Sequence, residues 1–232
     1  MKDIRITLYD IFGYLIPGVV MLFAISLFFW TIFWPASTLV IPSKLPAIAL
    51  GSLLFAAYLV GHLGQAIGNL LEKLPMIRKR LDEALPLSKG VEELLRSAIG
   101  ARFGKAVESI KPRELFALCD QALLHHDSPG EREIFVYREG FYRGSSVALA
   151  ILAVALAIRM VHAPAVLAVL GVTVEVYRGP LALACGLAAL GAWLAFWRYV
   201  RFGDHLFRTC FLRYLSLDLS TSIERKGKHG QA

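Results

Sequence analysis

Charge is missing from residues 11–43, from 45–71 and from 179–197, and Gly144–Ile158 makes a fourth, shorter uncharged run. A helix crosses the hydrocarbon core of a bilayer with about 20 apolar residues, each rising about 1.5 Å. The first, second and fourth runs are long enough and predict the spans TM1, TM2 and TM4. The third covers only about 22 Å of a core roughly 30 Å thick. We expect TM3 to close the gap with Arg143 and Arg159 snorkelling from its two ends. The alternative slides TM3 outward through "AIRMVHAPAVLAVLG", which buries Arg159 and His162.

Between the second and third runs the pattern changes to short amphipathic pieces. "LPMIRKRLDEALP" lies between prolines, "VEELLRSAIGARFG" ends on Gly104, and "KPRELFALCDQALLHH" has Pro112 where a first helical residue tolerates it. "SPGE" fits a capping box, Ser128 to the Glu131 N–H and Glu131 back again. The helix it starts is expected to run through "REIFVYREGFYRGSS" into TM3 unbroken. The predicted fold is all-α, a four-helix transmembrane bundle with a cytoplasmic helical insert between TM2 and TM3. Residues 1–71 hold TM1, TM2 and a short outer loop, 72–143 the cytoplasmic domain, and 144–200 TM3, TM4 and an outer loop. An interfacial helix and a disordered tail fill 201–232.

Composition agrees with this class. The chain is 56% hydrophobic and 19% charged, with a mean hydropathy of +0.57, too apolar for an ordinary soluble domain. Orientation follows from the basic residues. Lys2 and Arg5 precede TM1, only Lys44 lies between TM1 and TM2, 13 lie between TM2 and TM3, and seven follow TM4. Arg159 and Arg178 alone occupy the TM3–TM4 connection. Positive residues favour the cytoplasmic side. Both termini and the insert are therefore expected in the cytoplasm. The first run exceeds a signal h-region of roughly 7–15 residues and reads as an uncleaved anchor. The net charge of +7 is mostly a product of this topology, so nucleic-acid binding is not expected.

One apolar run carries unusual cargo. In "YLVGHLGQAIGNLLE", Tyr58, His62, Gln65, Asn69 and Glu72 recur at spacings of four and three, which places them on one helix face. Gly61, Gly64 and Gly68 form a second stripe about 100° away. Small residues let helix backbones approach, and polar side chains then hydrogen-bond across the contact. TM1 offers a partner in "YDIFGYLIPG". Pro17 has no N–H, so the Gly13 carbonyl loses its helical donor and needs another inside a bilayer. Antiparallel spans put Gln65 and Asn69 in the same leaflet as Gly13, Tyr14 and Pro17. The expected site is a polar intramembrane stripe of Tyr14, His62, Gln65 and Asn69, with Asp10 at its mouth. Gly13, Pro17, Gly61, Gly64 and Gly68 serve helix packing. The stripe either satisfies packing within one chain or lines a wet path in a homo-oligomer.

Catalytic signatures are few. Cys119, Cys185 and Cys210 form no CxxC pair, and no Walker A loop, GxSxG, H-E-x-x-H or GxGxxG occurs. Cys119 with His125 and His126 lacks a fourth ligand, so no metal or cofactor is expected, and no enzyme. His62 with Asp10 or Glu72 is the one conceivable acid–base pair. After TM4, "RYVRFGDHLFRTCFLRYL" spaces Arg198, Arg201, His205 and Arg208 by three and four among aromatics. This reads as an interfacial helix whose Arg198, Arg201 and Arg208 bind anionic lipid headgroups.

The "YDIFGYLIPG" start and the "GHLGQAIGNLLE" close of TM2 resemble uncharacterised bacterial multi-pass inner-membrane proteins, some encoded near anti-phage genes. The resemblance implies a membrane effector that permeabilises the inner membrane when a cytosolic partner triggers it. The favoured expectation is thus an oligomeric effector or pore-type protein in anti-phage defence. The alternative is an anchor or scaffold subunit that presents 72–143 to a soluble partner.

Overall fold

The computed structural model describes residues 10–34, 39–41, 44–71, 73, 87–104, 110–124, 130–162, 165–169 and 172–229. Six α-helices occur among them: α1 (Ile16–Phe33), α2 (Ala47–Leu71), α3 (Lys89–Phe103), α4 (Pro112–Leu124), α5 (Gly130–Val161) and α6 (Arg178–His229). Four carry stretches long and apolar enough to cross a membrane, Gly13–Phe33, Ala47–Leu70, Arg138–Val161 and Arg178–Leu217. This is a multi-pass membrane protein.

The chain is not purely helical. Leu39–Ile41 (β1), Ala165–Val169 (β2) and Val172–Val176 (β3) form a three-stranded sheet in that order. β1 runs parallel to β2, Leu39 beside Leu167, and β2 runs antiparallel to β3, Val169 beside Val172. The physical reason lies in "AVLAVLGVTVEV", where valines crowd two five-residue runs on either side of a Gly. β-branched side chains favour the pleated surface, and a two-residue connection selects a hairpin. The helical expectation holds for most of the described residues, and the strands lie in the connections that join α1 to α2 and α5 to α6.

TM3 solves its length problem in the direction opposite to the outward slide. The apolar stretch of α5 starts at Arg138 rather than Gly144 and covers 24 residues, about 36 Å. Snorkelling of Arg159 is corrected too. Its side chain is only 1% exposed, with its guanidinium over the Trp30 ring at 4.3 Å. A cation on the face of an indole recovers part of the cost of burial. Leu27, Trp30 and Ala155 form a small core around this pair, with Leu152, Leu156 and Val176 against it.

Two compact units divide the chain, one of residues 1–70 with 137–200, the other of 71–136 with 201–232. The second is built from α3, α4 and the far part of α6. α3 ends at Gly104, whose φ of 60° is a left-handed position that glycine occupies without a Cβ penalty. α4 opens on Pro112, where a missing N–H costs nothing. "LPMIRKRLDEALP" and Ser128 lie outside the described residues. Leu95, Ile99, Leu115, Cys119 and Ala122 face Cys210, Phe211 and Tyr214 in one core. Phe116 stacks on Phe207 with ring centroids 4.3 Å apart.

That core overturns the reason for an interfacial helix after TM4. Phe207, Phe211 and Tyr214 are packing residues of a helical domain, not a lipid-facing surface, while Arg198, Arg201 and Arg208 stay exposed on α6. Nor is 218–229 an unstructured tail, for α6 continues to His229. No Gly or Pro interrupts the sequence between Gly203 and Gly227, so an established helix propagates at one hydrogen bond per added residue.

Burial pushes the Cys119 thiol well above its ordinary value of 9.0, with Cys210 and Asp120 adding to the effect. A raised thiol keeps its proton in the folded state while the unfolded chain loses it. Stability is therefore whole below about pH 9 and falls as pH rises beyond it, because the unfolded chain releases this proton while the folded one keeps it. Chemical denaturation between pH 8 and 10.5 is expected to show a steeper decline for the wild type than for Cys119→Ala.

Candidate functional site

The approach to α1 is irregular, and the irregularity creates the site. Pro17, the second residue of α1, has no N–H to return to the Gly13 carbonyl. The chain passes through a π-helical turn, Asp10–Leu15, before α1 begins. Such turns cluster where backbone groups take partners from outside the helix. Here the outside partner is Gln65 of α2, whose Nε2 donates to the Gly13 carbonyl at 2.9 Å.

Gln65 is buried, and both its Nε2 and its Oε1 are engaged. Nε2 donates a second bond, to the Gly140 carbonyl of α5 at 2.5 Å, and Oε1 accepts from Arg143 Nε at 2.9 Å. Arg143 in turn lies 4.0 Å from the Glu139 carboxylate and 6.0 Å from the centre of the Tyr199 ring on α6. Backbone or side chain from four helices thus meets around one amide. A buried polar network in which each member is satisfied rigidifies its surroundings, whereas an incomplete one destabilises them.

Glycines make the meeting geometrically possible. A Cβ on Gly61 would fall onto the Tyr14 carbonyl, and one on Gly18 onto the Ala57 carbonyl. A Cβ on Gly68 would lie 2.6 Å from Arg143 Cγ, and one on Gly144 would lie 2.8 Å from Gln65 Nε2. Gly64 is looser, with Met21 Sδ at 3.2 Å from the added atom. The glycine stripe of α2 is therefore consumed inside this chain, against α1 and α5.

The polar stripe divides. Gln65 sits about 60° around α2 from His62, on the side of the glycines, and turns inward with them. His62 and Asn69 remain exposed. The His62 ring stacks on Tyr14 at 3.8 Å and meets Tyr58 edge-on at 4.6 Å. The Asn69 side chain makes no hydrogen bond among the described residues. The Asp10 side chain, Glu72, His125 and His126 lie outside the described residues, so the conceivable acid–base pair and the Cys119 ligand set have no described second member. Cys119 itself is fully buried in the helical domain.

Gly140, Arg143 and Gly144 are the residues that sequence reasoning missed. Their signal was present: "GFYRG" is a small-xxx-small pair around an arginine. The motif escapes a reading that starts TM3 at Gly144, because its first glycine lies four residues earlier, at 140. Farther along α1 and α5, a cavity of about 510 Å³ is lined by Ile25, Phe28, Phe29, Ala150, Ile151 and Val154. Its lining offers no group for acid–base or nucleophilic work.

Replacing Gln65 by Leu removes the side-chain donor to the Gly13 carbonyl, a second donor to Gly140 and the acceptor of Arg143 Nε, and a buried group left unpaired costs about 1–3 kcal/mol. Thermal unfolding in detergent is expected to fall sharply for Gln65→Leu and for Gly61→Ala. Gly51→Ala in the same helix meets nothing within 4 Å and is expected to gain about 0.5–1 kcal/mol from helix propensity. Equal behaviour of Gly61→Ala and Gly51→Ala contradicts the close approach at Tyr14.

No protein-family model, curated protein or solved structure matches this chain.

Proposed function

We propose that the protein is a non-enzymatic anchor of the bacterial inner membrane, a four-helix bundle that presents a cytoplasmic helical domain to a soluble partner. Both termini lie in the cytoplasm with that domain, which follows the bias of 13 and seven basic residues flanking the spans. The observation that carries the reading is the occupied amide of Gln65. Its two N–H groups and its oxygen are held by Gly13, Gly140 and Arg143. A side chain so engaged glues helices together and has no donor left for a water column or a passing ion. The domain supports the same reading, since α6 supplies both a membrane span and the Phe211 and Tyr214 of the domain core.

The oligomeric effector remains the second reading, and one observation favours it. His62 and Asn69 are polar, exposed and within the apolar stretch of α2. Exposed polar groups at that depth are what a wet interface between subunits would use.

Induced expression with a dye that reports membrane potential separates the two. An anchor leaves the potential unchanged at every expression level. Collapse of the potential on induction contradicts the anchor and restores the effector.

A further inference from the structure

α2 is among the least covered of the four helices that meet at Gln65. Only 17% of its most apolar stretch is buried, against 39% in α1 and 33% in α5. The first span of α6 is equally bare at 17%, but its exposed residues include no polar side chain between Gly179 and Trp197. The open side of α2 is different. Phe55, Leu59, His62, Ala66 and Asn69 are all exposed, and their spacings of four, three, four and three make one heptad face. His62 lies eight residues from the end of the span at Leu70, about 12 Å inward. Lipid chains offer neither donor nor acceptor to an imidazole at that depth, while the Asn69 amide, one residue from the end of the span, lies at its edge.

We infer that this face binds the same face of a second copy of the chain. Two copies inserted in one membrane share one orientation, so α2 meets α2 in parallel and each residue faces its own equivalent across a two-fold axis. Only groups that both donate and accept are satisfied by their own kind. Neutral imidazole and carboxamide are such groups, and they stand seven residues apart, one heptad, at positions that face together. Ala66 between them is small enough for the backbones to close. The glycines of α2 are already spent on α1 and α5, so the dimer face is the polar one. This inference does not rest on the anchor reading: a dimer is compatible with a potential that holds or one that collapses.

Oxidative cross-linking of single cysteine substitutions in native membranes, on the full chain, tests it. Ala66→Cys and Leu59→Cys are expected to give a species of twice the chain mass, severalfold above the wild type. Ile67→Cys, exposed but about 120° from the centre of the face, stays at the wild-type level. Adding Asn69→Leu to Ala66→Cys lowers the yield severalfold, while Asn69→Gln, which keeps donor and acceptor, preserves it. Yields that ignore the heptad, adducts of another mass, or equal yields for Asn69→Leu and Asn69→Gln overturn the proposal.

Discussion

A carbonyl deprived of its helical donor inside a bilayer must be given another, because the surrounding hydrocarbon has none to lend. Pro17 creates that debt at Gly13, and Gln65 settles it from the next helix. The same amide reaches the Gly140 carbonyl, and its oxygen holds Arg143. Remove the requirement and the meeting of α2 and α5 with the entry to α1 loses its polar reason. The π-helical entry, the close approach of α1 to α2 and the early start of the third span each follow from bringing those groups within hydrogen-bond distance.

Charge inside the unit obeys the same rule by other means. Arg143 and Arg159 stand 16 residues apart on α5, about 24 Å along the helix. Both turn onto protein rather than lipid, one to Gln65 and the Tyr199 ring, the other to Trp30. An aromatic face and an amide oxygen are modest partners, yet each replaces part of a hydration shell that the membrane would strip away. Glycines at 61, 68 and 144 make room, because a Cβ at any of them would collide with the groups being joined. The polar contacts and the small residues are therefore one device.

The membrane spans were legible because uncharged runs of that length have a single physical explanation. So was the meeting of Gln65 with Gly13, since Pro17 fixes which carbonyl lacks a donor and antiparallel spans fix which leaflet it occupies. Three features escaped for identifiable reasons. The sheet was overlooked because valine-rich segments beside a span resemble the span itself in hydropathy. Arg143 was assigned to headgroups because a lone arginine at a span end has two plausible destinations, and sequence spacing does not choose between them. The aromatics of Phe207, Phe211 and Tyr214 were given to lipid because an amphipathic helix looks the same whether its apolar side meets a membrane or another helix. In the structure that side packs on Leu115 and Cys119.

The account stands on Gln65 being sealed within helix packing. Labelling of Gln65→Cys by a water-soluble thiol reagent in native membranes reads that directly, with the wild-type chain as the background for Cys119, Cys185 and Cys210. The account expects no labelling above that background until the membrane unit is unfolded, alongside ready labelling of Lys73→Cys, an exposed position just beyond α2. Rapid labelling of Gln65→Cys in the folded protein would mean that water reaches the amide, and the dry node described here would not exist.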